Sequence, residues 1–143
     1  MIARRVLLPW LGLAFASLGG CHLEMRREHP LRCHSDEQAL IRDTFYFGRS
    51  IPGGGHVSDA DWDQFEAATL APAFPKGYTL LDGHGRWQGD HGEAVSEDSR
   101  LVIVLHADDV ASEKTVRNAA EAYKQRFQQE SVLREAATVC AKF

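Results

Sequence analysis

The sequence has no apolar run long enough to cross a bilayer as a helix, since its longest such stretch, Val6–Leu18, has 13 residues. It is also short of positive charge, with 16 Lys and Arg residues against 20 Asp and Glu. Proteins that bind nucleic acids need clusters of Lys and Arg to meet the phosphates. The composition therefore argues against a nucleic-acid partner.

Motifs for the commonest chemistries are missing as well. There is no Gly-x-Ser-x-Gly elbow for acyl transfer, and no Cys-x-x-Cys or His-x-x-x-His pair for a metal ion. Gly53–Gly55 lie between a predicted strand and helix, but no Gly-Lys-Ser/Thr follows them as in a phosphate loop, so a flexible connector is expected. Because the seven histidines are scattered, we expect no metal site and no cofactor.

The N-terminus has the layout of a secretory leader. Arg4 and Arg5 precede the apolar stretch, and Leu18-Gly19-Gly20-Cys21 follows it. These last four residues resemble the lipobox of bacterial lipoproteins, which implies that residues 1–20 are removed and that Cys21 is acylated and held in a membrane. His22, rather than Asp, follows the cysteine, which by the same resemblance favours the periplasmic side of the outer membrane. The alternative is a plain secretory leader, cut nearby, in which Cys21 is incidental.

The rest of the chain is expected to form a tether, residues 21–35, and a single domain, residues 36–143. Loss of the leader and its two arginines leaves 14 basic and 20 acidic residues, a net charge of −6. Cys33 and Cys140 lie near the two ends of the domain and form a candidate disulfide in an oxidising compartment. Two unpaired thiols are the alternative.

Hydrophobic periodicity predicts the element order β-α-β-β-α-β. The strands are expected around 41–47, 77–81, 94–107 and 131–143, the last of them broken near Ala136 and Ala137. The first helix is expected over 59–73, with Trp62, Phe65, Thr69 or Leu70, and Ala73 on its buried side. The second begins at a cap on Asp108 or Asp109, and its buried side carries Val116, Ala119 or Ala120, Tyr123 and Phe127.

This order predicts an α+β domain of the ferredoxin-like type, a four-stranded antiparallel sheet with both helices on one face. The first strand then lies between the third and the fourth, which brings Cys33 and Cys140 to the same edge. The third strand is apolar on both faces over residues 101–105, so the face without helices also needs a cover. Either the loop after residue 83 or a second copy of the chain in a homodimer would provide it.

The stretch from Phe74 to Trp87 is the most constrained part of the chain, and Asp82-Gly83-His84-Gly85 is predicted to turn or bulge within it. In the functional interpretation Asp82 and His84 act as acid and base, and Arg126 clamps an anion. In the structural interpretation Asp82 bonds turn amides, His84 is solvated, and Arg126 with Gln129 ties the helix end to Asp82 or Glu97.

Several segments together resemble the bacterial family known as domain of unknown function 3574. They are Asp43–Gly48, Trp62 with Phe65, Phe74–Trp87, Glu97 with Ser99, and Tyr123–Val132, within a resemblance that runs from about residue 38 to 143. The family includes secreted and lipid-anchored proteins without an established activity. We therefore expect a lipid-anchored envelope protein that binds an envelope protein or a small ligand without catalysis; a small enzyme using Asp82, His84 and Arg126 is the alternative.

Overall fold

The computed structural model describes residues 31–88, 92 and 94–143, so the leader, Cys21 and most of the tether lie outside the described residues. The described residues form four strands: β1 (Gln38–Gly48), β2 (Thr79–Gln88), β3 (Ala94–His106) and β4 (Leu133–Ala141). The helical segments are α1 (Asp59–Phe65), a π-helical turn (Glu66–Leu70), α2 (Ala71–Ala73) and α3 (Val110–Phe127). None of the described helices combines the length and apolar character that a membrane crossing requires.

The strands form one antiparallel sheet in the order β2-β3-β1-β4, which confirms the α+β class and places β1 between β3 and β4 as predicted. The register sets Phe45 opposite Val102 on one side and Arg134 on the other. Residues opposite each other share a face of the sheet. One face therefore carries Phe45 and Phe47 toward the helices, and we call the other one the open face.

An aromatic cluster between the sheet and the helices forms the core. Phe47 lies with its ring centroid 4.7 Å from that of Tyr123, and Phe65 lies 5.0 Å from Tyr123. Trp62 and Phe127 complete the cluster, and all five side chains are buried. Aromatic pairs at such separations add about 0.5–1.5 kcal/mol each beyond the apolar area that they bury. The buried positions of α3 are those predicted, with Ala119 rather than Ala120 among them.

The first helical run covers residues 59–73 as predicted, but it contains a π turn. A π turn closes after five residues instead of four, so Leu70 falls below Phe65 on the buried side and Thr69 does not. The Ser58 hydroxyl accepts from the Asp61 amide at 3.1 Å and begins the run. Asp109 caps α3 by accepting from the Ser112 amide at 2.7 Å.

The predicted turn at residues 82–85 is wrong. β2 continues through Asp82, Gly83, His84 and Gly85, and neither glycine has a positive φ. Gly83 is needed for space, because a Cβ there would lie 2.5 Å from Cδ1 of Leu101. The chain reverses between β2 and β3 instead, where residues 89–91 and 93 lie outside the described residues. Any cover that this loop gives the open face is therefore not described.

The predicted break in the last strand is also wrong. Ala136 pairs with Asp43 and Ala137 pairs with Arg42 in an unbroken ladder. Alanine is a weak strand former, but pairing with a neighbouring strand outweighs that preference.

Cys33 and Cys140 form a disulfide with their Cα atoms 5.4 Å apart, as predicted. Cys140 lies at the end of β4, opposite Ala39 of β1, and Cys33 precedes β1 by a few residues. The bond therefore joins the two ends of the domain at one edge of the sheet. A loop of about 100 residues closed in this way stabilises the fold by roughly 4–5 kcal/mol in the chain-entropy model.

Candidate functional site

The structure places Asp82, His84 and Arg126 in separate contacts. Asp82 forms an ion pair with Arg100, and Arg126 donates to Oε1 of Gln64 at 3.1 Å. His84 Nδ1 lies 2.7 Å from Oδ1 of Asp98, and both side chains are more than half exposed. The hydrogen bond from His84 lowers the pKa of Asp98. No hydrogen bond or ion pair within the described part of the chain joins any two of the three residues.

The open face instead presents a continuous apolar row. Leu81, Leu101, Tyr46 and Leu133 stand side by side across all four strands, and we call them the apolar row. The side chains at its two ends are the most exposed, Leu81 at 48% and Leu133 at 61%. Exposed leucines on adjoining positions of one sheet face are typical of a binding surface.

A groove of about 560 Å³ lies beside this row, where β1 ends. Its apolar walls come from Tyr46, Ile51, Pro52, Val95 and Leu133. Its polar lining comes from Ser50, Glu97, Ser99, Gln129, Glu130 and Ser131, with Arg86. Gly85 supplies no side chain and leaves space open, whereas the carboxylate of Glu97 fills the space over Gly48. Small-molecule sites have this volume and this mixture of apolar walls and a few polar groups.

Glu97 occupies the floor of the groove. Its Oε1 accepts from the Ser50 amide at 3.1 Å, and the carboxylate lies directly over Gly48, where a Cβ would come within 2.6 Å of Oε1. The side chain is partly buried. Within the described ranges no Lys, Arg or His forms an ion pair with Glu97.

Two buried or half-buried groups from the helix side fix the end of β1 beneath the groove. The hydroxyl of Tyr123 donates to the Gly48 carbonyl at 2.8 Å. Burial raises the pKa of Tyr123, so its hydroxyl keeps the proton that it donates. Nε2 of Gln129 donates to the Ser50 carbonyl at 2.6 Å. The predicted link from Gln129 to Asp82 or Glu97 is therefore replaced by a link to the backbone.

A second group of charges surrounds one buried carboxylate. It consists of Asp43, His106, Arg134 and Glu113, which is 40% exposed, and we call it the Asp43 cluster. Asp43 is 0% exposed and accepts from Arg134 Nε at 2.7 Å and from His106 Nε2 at 2.6 Å. Arg134 also donates to both oxygens of Glu113, at 2.9 and 2.7 Å. Hydrogen bonding from Arg134 lowers the pKa of Glu113, which favours the ionised carboxylate that pairs with Arg134.

Both ring nitrogens of His106 have polar partners. Nε2 faces the Asp43 carboxylate, and Nδ1 lies 2.7 Å from the carbonyl of Ala107. The ring therefore links the buried carboxylate of Asp43 to the backbone just before α3. Sequence reasoning missed this cluster, although one signal was present: Asp43 shares the strand face of Phe45 and Phe47, where an acid needs a buried partner.

Comparisons with known proteins place the chain in a family and a fold. The model of a family described as "Protein of unknown function (DUF3574)" matches residues 42–143, more than half of the chain. No curated protein matches this chain.

Two solved structures of a phage SAM lyase are similar in fold. The complex with S-methyl-5'-thioadenosine has a TM-score of 0.54 and 13% identity, and covers 81% of this chain and 97% of that one. The apo state has a TM-score of 0.52 and 14% identity, and covers 73% and 92%. Identities this low establish the shared fold alone.

Proposed function

This chain belongs to the DUF3574 family, whose description assigns no activity, and from that premise we propose that it is a lipid-anchored protein of the cell envelope that binds a small ligand without converting it. The binding site is the groove on the open face, and the anchor is acylated Cys21, held on the periplasmic side of the outer membrane. The Cys33–Cys140 disulfide supports an oxidising compartment.

The groove is the observation that carries the proposal. It joins an exposed apolar row to a partly buried carboxylate, and its volume of about 560 Å³ suits a small molecule. An acid and a base aimed at a common point would favour catalysis. Asp82, His84 and Arg126, the candidates for those roles, are instead engaged with separate partners.

A groove-filling variant tests the binding function. Gly85 lines the groove, and a Cβ there would meet its nearest neighbour, the Glu97 carbonyl, only at 3.9 Å. Gly85→Phe should therefore fill the groove while leaving the sheet intact. Thermal unfolding of the full chain is then measured with a metabolite panel. Ligands at about 100 times their Kd should add about 2.7 kcal/mol to the wild type and much less to the variant; equal stabilisation of both proteins would reject the groove as the site.

Acylation is tested separately in cells. The full-length protein, grown with an alkyne analogue of palmitate, should carry the label and sediment with the outer membrane. Cys21→Ser should lose both properties, whereas Cys140→Ser should keep the label. A labelled Cys21→Ser protein, or an unlabelled wild type, would contradict the anchor.

The second candidate is a small enzyme. The fold that this chain shares with a phage SAM lyase makes S-adenosylmethionine the first substrate to try, with S-methyl-5'-thioadenosine as the product sought by mass spectrometry. Turnover that exceeds the rate without protein would favour the enzyme. If it occurred, single replacements of Asp82, His84 and Arg126 would show whether these residues contribute.

Pairing of two copies through the open face is an alternative use of the same surface, because a second sheet would cover the side of the groove that Tyr46 and Leu133 form. The exposed ends of the apolar row, Leu81 and Leu133, are the surface that a second sheet would cover. Sedimentation velocity over a range of concentrations measures the pairing. Leu133→Glu should shift the distribution to the monomer, and a monomeric wild type at the highest concentration would reject this alternative.

A further inference from the structure

We propose that the groove selects a small organic cation, a molecule that carries an ammonium-like group and an apolar body about 7 Å from it. Glu97 binds the positive group, and the apolar row receives the body. This inference rests on the proposed ligand-binding function and adds the chemical class of the ligand.

The hydrogen-bonding groups that line the groove favour a ligand that donates hydrogen bonds. Three donors that line or border it are already used inside the protein: the Ser50 amide on Glu97, Nε2 of Gln129 on the Ser50 carbonyl, and the Tyr46 hydroxyl on Glu135. The hydroxyls of Ser50, Ser99 and Ser131 can donate or accept and so select neither kind of ligand. The bond to Glu135 also raises the pKa of Tyr46, which keeps that hydroxyl a donor to Glu135. In the described part of the chain the second oxygen of Glu97 has no hydrogen-bond partner. The lining thus offers a charged acceptor.

The charges of the groove lining also favour a cationic ligand. Glu97 and Glu130 line the groove, and the one cation beside them, Arg86, is an exposed residue that alternates with Gly85 along β2 and so belongs to the opposite face of the sheet. A carboxylate that is partly buried and lacks a cationic partner is stabilised when a ligand brings the positive charge. An anionic ligand would meet two carboxylates in the same space and is disfavoured.

The register of the sheet sets the spacing. The carboxylate of Glu97 lies over Gly48, and Tyr46 of the apolar row is two residues earlier on the same face of β1. Two residues of a strand span about 7 Å. A ligand that reaches both features must therefore separate its positive group from its apolar body by about that distance. Inorganic cations and apolar molecules without a charge each meet only half of the site.

Three probes that share one skeleton test the inference: phenylbutylamine, phenylbutanol and phenylbutyrate, which are cationic, neutral and anionic. Binding is measured by calorimetry on the full-length protein in phosphatidylcholine nanodiscs, with empty nanodiscs as the reference. The amine should bind at least about tenfold tighter than the alcohol, since a hydrogen bond to a charged group contributes about 1.5–3 kcal/mol. The acid should bind more weakly than the alcohol.

Variants assign the preference to one side chain. Glu97→Gln keeps the size of the side chain and should bring the amine to the affinity of the alcohol. Glu121→Gln is the matched control, because this carboxylate on α3 pairs with Lys124 and does not line the groove, and it should leave the preference for the amine in place. Circular dichroism of both variants, compared with the wild type, verifies that they are folded.

The outcomes separate this inference from the function on which it rests. If alcohol or acid binds as tightly as the amine, and Gly85→Phe abolishes that binding, the groove is a ligand site but the preference for cations is wrong. If the amine preference survives Glu97→Gln, the role of Glu97 is wrong. If none of the three probes binds in a way that Gly85→Phe removes, the inference falls, whereas the proposed function falls only if the metabolite panel also gives no stabilisation that Gly85→Phe removes.

Discussion

Replacing Asp43 by Asn should be the most damaging single charge change in the domain. The substitution keeps the shape of the side chain but turns one acceptor oxygen into a donor that faces His106 or Arg134, both of which are donors. Asp43 is 0% exposed, so water cannot replace the lost charge. Removing one partner of a buried ion pair costs about 3–5 kcal/mol, a large part of the roughly 5–15 kcal/mol by which a typical domain is stable.

The chain supplies its own control in a second His–Asp pair. His84 and Asp98 are separated by 2.7 Å, against 2.6 Å for His106 and Asp43, but their side chains are 65% and 63% exposed. Exposed pairs contribute about 0–1 kcal/mol, so Asp98→Asn should change stability little. The two pairs differ in burial and in Arg134, which binds Asp43 as well.

Guanidinium unfolding followed by circular dichroism, with the disulfide intact in every protein, gives the free energies. Asp43→Asn should move the unfolding midpoint to a much lower guanidinium concentration at an unchanged m-value. The midpoint of Asp98→Asn should remain close to that of the wild type. The reasoning is refuted if the two variants differ by less than about 1 kcal/mol, the range of an exposed pair. An additional Glu113→Gln change should cost more in the Asp43→Asn background than in the wild type, because Glu113 is then the charged partner that is left to Arg134.

Three further predictions concern the sheet, the disulfide and a tyrosine. Gly83→Ala should lose about 1–3 kcal/mol on chemical unfolding because its Cβ meets Leu101, whereas Gly85→Ala, with 3.9 Å of clearance, should not; equal losses would refute the steric explanation. Reducing the Cys33–Cys140 bond should lower stability by about 2–5 kcal/mol, measured with and without reductant, and an unchanged midpoint would contradict the bond. Burial and the hydrogen bond to Glu66 raise the pKa of Tyr78 from 10.0 to about 12. The folded state thus holds this proton more tightly, so the contribution of Tyr78 to stability is present below pH 10 and is lost as the pH rises from there toward 12. In an ultraviolet titration, Tyr78→Phe should remove one tyrosine that ionises above the usual pH. If it removes none, the raised pKa of Tyr78 is wrong.

Patterns that repeat along the chain predicted most of the fold. The alternation of Phe45 and Phe47 with polar neighbours in β1, and the helical spacing up to Tyr123 in α3, each identify one buried face, because burial and periodicity have the same geometric origin. The sheet order followed from the handedness of the two crossovers, and the disulfide followed from that order. Side chains that act in pairs, such as Asp43 with Arg134, are far apart in the sequence, and so their partners could not be read from it.

The glycines of β2 show why the candidate site was placed wrongly at a turn. Gly-x-Gly next to Asp and His has the composition of a turn, and local composition carries no information about the neighbouring strand. In the folded protein the two glycines face the open side of an unbroken strand; Leu101 packs over Gly83, while Gly85 leaves room for the groove. Glycine suggests freedom of the backbone, but in β2 the lack of a side chain provides space for neighbouring groups.

The end of β1 connects the groove to the core, and this connection supports the proposal of a ligand site in the groove. Tyr123 is part of the buried aromatic cluster, and its hydroxyl holds the Gly48 carbonyl in place. Gly48 in turn provides the close approach that the carboxylate of Glu97 needs. Glu97 and Gly48 thus lie on two strands that the core fixes, and a rigid support lowers the ordering cost of binding. On this argument Tyr123→Phe, which removes only the hydroxyl, should weaken binding of a cationic probe in the groove while leaving the aromatic packing in place.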